Sequence, residues 1–456
     1  MRRTSCALAS WCFGAWVGCA VGAEDPPVSE AGPEAAQIPQ FDPFRGMDRD
    51  GRIPKVRLPA DVAHPERWRY IPEGRIKPGN ILQRFMVSSF ITPIFYFEEA
   101  IGAGGGVSIT DIDFREQRRR EFAGIFAAHS TEGQERYSLV WQRWLAHRDL
   151  AGGGVIQEER TWLRGVLGYN RTLTRRFFGI GPDTHERDET SYTDESAYLQ
   201  TMYQVSLPHP GDDVVGSFGV RGEHHNLARG RISGRPSTET VYPQLVADGD
   251  SIDSLWLTAG LRYDTRDSQH NPYRGWMLSA LVDAAPLQTG EQSGAIGEVR
   301  TVGVITVPGL FHDGGSSDEE NPPTDVIAIG AFVQWTMGDV PFYHLPSLGG
   351  SDTLRGYIGD RFTDRAAWHA GIEYRMWVMP RGFAISDTIR IERLGLAPFY
   401  ELGSVASAVA RLRDSRVHES FGVGLRAELE RTAVFRCDLG WSREQFAVNV
   451  AYGLSF

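Results

Sequence analysis

Two carboxylates in this sequence fall on the small, polar side of strand-like alternation. Glu373 is in step with His369, Gly371 and Arg375 and opposes Trp368, Ala370, Ile372 and Tyr374; Glu401 is in step with Ala397, Phe399 and Gly403. Paired carboxylates serve acid–base chemistry when a nucleophile or metal accompanies them, and elsewhere serve as partners for buried cations. No G-x-S-x-G elbow exists in the chain. His147, His209, His224, His225, His270, His344 and His369 lack ligand spacing, and His224-His225 reads as a pair at a strand end. The expectation is a protein that is not an enzyme and holds no metal and no cofactor.

The elements that must position these groups are strands. The last eleven residues, FAVNVAYGLSF, put Phe446, Val448, Val450, Tyr452, Leu454 and Phe456 in one apolar row and Ala447, Asn449, Ala451, Gly453 and Ser455 in a small or polar one. That suits a wall between lipid and a wet lumen; a soluble amphipathic strand has the same pattern. From about Phe85 onward sixteen such segments follow one another, PIFYFEEA being the first. Leu255, Leu257, Ala259, Leu261 and Tyr263 oppose Trp256, Thr258, Gly260, Arg262 and Asp264; Phe421, Val423, Leu425, Ala427 and Leu429 oppose Gly422, Gly424, Arg426 and Glu428. A charge at mid-bilayer costs roughly 2–4 kcal/mol, so Arg262, Asp264, Arg426 and Glu428 must face a lumen. An even strand count leaves no unpaired edge in lipid.

The other end of the chain sets the compartment. Residues 1–23 read as a secretory signal: Arg2 and Arg3, an apolar stretch from Ala7 to Val21, and small residues at Val21-Gly22-Ala23. Lipoprotein processing at Cys19 is a rival that Trp16 disfavours. Cys6, Cys12 and Cys19 leave with the signal, so the mature chain keeps Cys437 alone and forms no internal disulfide. Cys437 is in phase with Phe435, Leu439 and Trp441 and reads as a small wall residue. Residues 24–84 are proline-rich and charged and read as a periplasmic segment; Asp48-Arg49-Asp50-Gly51 reads as a turn. The barrel occupies 85–456.

Mean hydropathy is −0.30, and no 18-residue apolar run follows the signal, which argues against a helical membrane protein; alternation hides a barrel's lipid face in a low average. Loss of Arg2 and Arg3 takes the net charge from −11 to −13; an acidic surface of this kind gives no encouragement to nucleic-acid binding, and no nucleic-acid partner is expected. With the C-terminus in the periplasm, the long stretches 225–252 and 338–366 are extracellular.

The most specific motif is Leu348-Gly349-Gly350-Ser351-Asp352-Thr353-Leu354-Arg355-Gly356-Tyr357, followed by Arg361-Phe362. It resembles the arginine-glycine-aromatic motif in the sixth extracellular loop of the BamA/TamA outer-membrane assembly superfamily, and strand counting places it between strands eleven and twelve, which is that loop. FFGIGPDT at 177–184, YDTRD at 263–267, PYRG at 272–275 and FYELG at 399–403 resemble the same family, over about residues 85–456. The resemblance implies an all-β transmembrane antiparallel barrel of about 16 strands, with the loop folded into the lumen and Arg355 meeting Glu373 and Glu401. The family usually carries Asp at the second acidic position, so Glu401 departs from it by one methylene. Gly349, Gly350, Leu354, Gly356 and Tyr357 complete the loop motif. The alternative for Arg355 is a surface-loop arginine in solvent.

The resemblance also implies an outer-membrane protein in contact with outer-membrane lipid, inserted by the barrel-assembly machinery, for which Tyr452, Leu454 and Phe456 resemble the C-terminal signal. Only about sixty residues lie between Ala23 and Phe85, with no strand-helix-helix-strand-strand pattern, so the chain looks like a short-N-terminus member lacking POTRA domains, with room for a separate periplasmic accessory protein. The expected role is protein or lipid insertion, translocation or envelope assembly; a passive solute pore or structural barrel is the alternative. Gly102 to Gly106, beside the poorly alternating first strand, serve barrel curvature or a weak seam equally well.

Overall fold

The lipid-facing row and the charged row of the sequence become the two faces of one closed wall. The computed structural model describes residues 47–71, 90–98, 101–111, 121–247, 249–290, 292–384, 390–430 and 433–456. The expected signal, its three cysteines and the stretch 72–89 lie outside the described residues. Sixteen antiparallel strands close a barrel in consecutive order. They are β1 (Phe90–Glu98), β2 (Gly102–Asp111), β3 (Glu121–Ser130), β4 (Glu135–Trp144), β5 (Trp162–Phe177), β6 (Thr190–Leu207), β7 (Val214–Arg229) and β8 (Ser251–Asp264), then β9 (Gly275–Gln288), β10 (Gly294–Val307), β11 (Asp325–Gly338), β12 (Ala366–Met379), β13 (Arg393–Ala406), β14 (His418–Glu430), β15 (Ala433–Trp441) and β16 (Phe446–Tyr452).

Burial is inverted relative to a water-soluble fold. Phe95, Leu139, Leu167, Leu199, Phe218, Leu261, Leu278 and Leu425 are exposed, whereas Asp264, Glu373, Glu401, Arg426, Glu428 and Asp438 are buried. Lipid is the solvent for the first set and the lumen holds the second. The alternation read at 255–264 and 421–429 holds residue by residue, and Cys437 is free and on the outward face.

Wall height is uneven. Strands β5, β6 and β7 run 16, 18 and 16 residues, whereas β15 has 9 and β16 has 7. A tilted strand needs about 9–11 residues to cross a bilayer, so the wall is lowest where the sheet closes. Among the described residues that closure is also the thinnest pairing: β1 meets β16 through one register pair, Phe97 with Val450, whereas β6 and β7 are paired along all of β7.

The terminal segment departs from its expected course. Its strand stops at Tyr452, where Gly453 adopts φ +85 and turns the chain out of the ladder, a conformation glycine takes without Cβ strain. Tyr452 stays on the lipid side. Phe456 does not: it packs inside against the Tyr273, Met277, Val302, Val304, Val326 and Ala328 cluster, and its main-chain oxygen accepts a hydrogen bond from Arg375 Nη2 at 2.9 Å. The apolar row of the sequence therefore ends two alternations early, because a glycine replaces a strand residue at its last position.

The N-terminal segment is more ordered than its composition suggests. Residues Trp68–Ile71 pair with Val155–Glu158, which pair with His147–Asp149, a small sheet built on the connection between β4 and β5. Arg67 clamps it to the rim, donating to the Gly211 carbonyl at 2.5 Å and to Asp213 at 2.6 Å. Asp48 Oδ1 accepts from the Asp50 and Arg52 amides, so the acidic run is an Asx turn as expected. Further on, the Ile53 carbonyl accepts from Glu320 N, and Glu319 pairs with Arg381 at 2.5 Å.

The Arg381 guanidinium holds the Glu319 carboxyl down at about 2. A depressed folded-state value stabilises this contact above the ordinary carboxyl range, and the stabilisation is lost as pH falls from about 4.5 toward 2. Glu319→Gln is expected to speed tryptic cleavage after Lys55 and Arg57 several-fold at neutral pH by raising the population of locally opened chain; an unchanged cleavage rate would show that the segment is held elsewhere.

Candidate functional site: a loop latched in the lumen

The stretch between β11 and β12 folds inward. Gly349 and Gly350 have φ +117 and +97 and Leu354 has φ +45, so three left-handed residues bend the chain into a compact knot. Within it Gly350 N donates to the Tyr357 carbonyl and Tyr357 N to the Leu354 carbonyl. Leu348, Leu354, Tyr357 and Phe362 are buried and pack with Phe332, Ala367 and Val405 of the wall. These apolar anchors desolvate the motif and so set the dielectric in which its arginine acts.

Arg355 is fully buried. Its Nη1 lies 2.9 Å from Glu373 Oε2 on β12 and its Nε 2.9 Å from Glu401 Oε1 on β13, while its main-chain N donates to Glu401 Oε2 at 2.7 Å. Asp438 Oδ2 on β15 stands 3.3 Å from Nη1. The guanidinium carbon sits 3.5 Å from the Phe399 ring centroid, and Asn449 on β16 donates to the Arg355 carbonyl at 3.0 Å. Gly356 and Gly440 make this approach possible, since a Cβ on either would collide with main-chain atoms of β15 or of Arg355.

The trio of the sequence is the centre of a larger lattice. Glu373 also accepts from Arg375 and Arg426, each at 2.9 Å. Asp438 accepts from Arg426 at 2.7 Å and Arg436 at 2.9 Å, and Arg436 returns to the loop at Asp352 and the Ser351 carbonyl. Ser420 donates to Glu401 at 2.9 Å. Four arginines and four carboxylates thus interlock across β12 to β15, so buried charge is matched rather than isolated.

A second tether stands nearer the mouth of the barrel that the loop enters from. Arg361 forks onto Glu444 at 2.6 and 2.7 Å and donates to Thr184 Oγ1 and its carbonyl. The FFGIGPDT stretch is therefore where Arg361 lands, and Gly181 N donates to the Thr363 carbonyl. The YDTRD and PYRG stretches belong to the other end of the barrel, where Asp264 holds Arg266 and Tyr273 meets Glu428. Gly349, Gly350, Leu354, Arg355, Gly356, Tyr357, Glu373 and Glu401 are brought together; Tyr452 stays on the lipid face of β16, Leu454 lines a small cavity with Arg375 and Arg426, and Phe456 lies inside against β9 to β11 with its main-chain oxygen on Arg375. Asp438, Arg436 and Asn449 were not singled out in advance, although the outward phase of Cys437 implies that its neighbours point inward.

A closed wall with a lipid-facing outer surface and an ion-paired loop in its bore defines a transmembrane β-barrel of the bacterial outer membrane. A family model described as "Omp85 superfamily domain" matches residues 185–448, and the chain belongs to that superfamily. Among solved structures it is similar to BamA from Haemophilus ducreyi lacking POTRA domains 1–3, at 16% identity and a TM-score of 0.50, over 80% of this chain and 70% of that one. It is also similar to CdiB from Acinetobacter baumannii, at 12% identity and a TM-score of 0.42, over 80% of this chain and 59% of that one. No curated protein matches the sequence.

Proposed function

We propose that this barrel inserts or translocates a protein or lipid component at the outer membrane, with the latched loop as its internal support and the β1–β16 seam as its moving part. The observation that carries this reading is the seam itself. Among the described residues a single register pair joins strands of nine and seven residues, so opening it forfeits few ladder hydrogen bonds. A low wall at the same place leaves part of the bilayer thickness unmatched, which eases lateral exchange with lipid. The network of β12 to β15 would keep the rest of the barrel rigid while this edge moves.

The test is a disulfide across the seam. In a Cys437→Ser background, Phe97→Cys with Val450→Cys places two thiols at opposed positions. Oxidation is expected to block outer-membrane assembly to the level seen on depletion of the protein, read by outer-membrane proteome and lipid asymmetry, with recovery on reduction. Full function in the oxidised state would overturn the moving seam, and an unchanged membrane after depletion would overturn the assembly role. The passive-pore alternative predicts a steady conductance that ignores the loop; Arg355→Ala is expected instead to enlarge conductance fluctuations in single-channel recordings.

A further inference from the structure

Glu223 and His225 are two residues apart on β7 and so share its inward face. His344 reaches them from the arm of the inward-folded loop, where Phe342–His344 form a single 3-10 turn. That turn is fixed by Phe342, which is buried against Phe177, Tyr192, Leu227 and Val246. Nothing in the sequence spacing joins His344 to His225; the loop does.

One side-chain donor atom each from Glu223, His225 and His344 lies within 4.8 Å of the other two. His344 Nε2 is 2.6 Å from Glu223 Oε1, and His225 Nε2 is 3.9 Å from the same oxygen. Metal–ligand bonds of about 2.0–2.2 Å put tetrahedral nitrogen and oxygen ligands roughly 3.3 Å apart, so the two separations bracket what a bound ion needs, and donor atoms within 4.8 Å of one another close on it by moving together up to about 1.5 Å.

The surroundings are what a metal site requires beyond its ligands. Asp194 Oδ1 lies 2.8 Å from His225 Nδ1, which holds the proton on that nitrogen and turns the Nε2 electron pair toward Glu223, as in a carboxylate–histidine–metal relay. Ser254 Oγ and Trp256 Nε1 donate to Glu223 Oε1 at 3.0 and 2.6 Å, and Arg221 pairs with Oε2 at 2.9 Å. The Tyr343 ring stacks on His225 at 4.5 Å and Trp256 meets His344 edge-on at 5.0 Å, so aromatic walls limit both imidazoles. The rival occupant is a proton: an imidazolium of His344 donating to Glu223 satisfies the 2.6 Å contact alone. The same rival extends to His225, whose imidazolium would lie between Asp194 at 2.8 Å and Glu223 at 3.9 Å, so metal titration is what separates the two occupants.

We propose that Glu223, His225 and His344 bind one divalent transition-metal ion of the zinc class, fastening the arm of the lumen loop to β7. Two imidazoles and one carboxylate favour zinc, nickel or copper over magnesium or calcium, and three protein ligands leave one position for water. Bound metal would give the loop an anchor on the β7 wall, opposite in role to the Arg355 network because it can be removed by a chelator.

The full chain, refolded in detergent and stripped with chelator, is titrated with Zn2+ against a chromophoric competitor and, separately, with Cu2+ for electron paramagnetic resonance. One-to-one zinc binding is expected, weakened on the order of 100-fold by His225→Ala or His344→Ala and at least about 10-fold by Asp194→Asn, with heat-modifiable gel mobility unchanged. The copper spectrum of the unaltered protein is expected to show two-nitrogen coordination, which reads the site even where a variant fails to fold. Absence of stoichiometric zinc binding, affinity indifferent to both histidine changes, or copper without nitrogen ligands would each overturn the proposal and leave a protonated His344–Glu223 pair.

Discussion

Arg355→Ala should release the lumen loop and destabilise the barrel by about 3–5 kcal/mol, the range for breaking a buried ion pair from one side. The substitution removes the ligand of three wall carboxylates at once: Glu373 and Glu401 lose 2.9 Å bonds and Asp438 a 3.3 Å contact. Glu401 suffers most. Its remaining polar contacts are Ser420, the main-chain N of residue 355 and His369 at 3.7 Å, so a buried carboxylate is left with a hydroxyl, an amide and a distant imidazole. Stacking on Phe399 is lost as well, typically worth about 0.5–2 kcal/mol for a cation over an aromatic face.

Two readouts separate release from general unfolding. Urea unfolding in detergent reports the global loss, and proteolysis within 339–365 reports the loop. Both are expected to move, the second further, because Leu348, Leu354, Tyr357 and Phe362 still favour burial but no longer have a fixed register. Arg355→Lys is expected to rescue only part: an ammonium can meet one carboxylate well, whereas the planar fork meets Glu373 and Glu401 together. A loop that stays protected in Arg355→Ala would mean that the apolar anchors and Arg361 suffice.

The wall was legible in the sequence because a barrel repeats one rule, alternation of period two, over every strand, and lipid and lumen enforce it independently at each residue. Glu373 and Glu401 were legible for the same reason: a carboxylate out of phase with lipid has nowhere else to point. The loop's destination was not readable from alternation. It came from the motif's resemblance, since Arg355 in isolation is an arginine in a glycine-containing loop. The inward turn of Phe456 was hidden because Gly453 continues the alternating pattern as a small residue while adopting a backbone that breaks it. The small three-stranded sheet escaped notice because strands of three and four residues carry too little periodicity to register. His225 and His344 are separated by the long excursion of the chain through β8 to β11, a juxtaposition set by tertiary packing alone.

Glu373→Gln should cost more than Arg355→Ala, although it keeps the size and shape of the side chain. Glu373 is the shared partner of Arg355, Arg375 and Arg426, all at 2.9 Å, and all four side chains are buried. Neutralising it leaves three guanidinium groups in one low-dielectric pocket, with Asp438 and Glu401 on its margins and with amide hydrogens that oppose their donors. The loss is expected at or above about 4 kcal/mol, read as a lowered urea midpoint and easier heat-modification on gels. The decisive measurement is the cycle with Arg355→Ala. In the double variant the site loses one cation and one anion together, so the combined cost is expected to fall short of the sum by about 1–3 kcal/mol. A sum that closes without coupling would mean that Glu373 is engaged chiefly by Arg375 and Arg426, and that the loop is held by Glu401 and Asp438 instead. That outcome would move the latch from β12 to β13 and β15, one strand nearer to the seam whose motion it is proposed to brace.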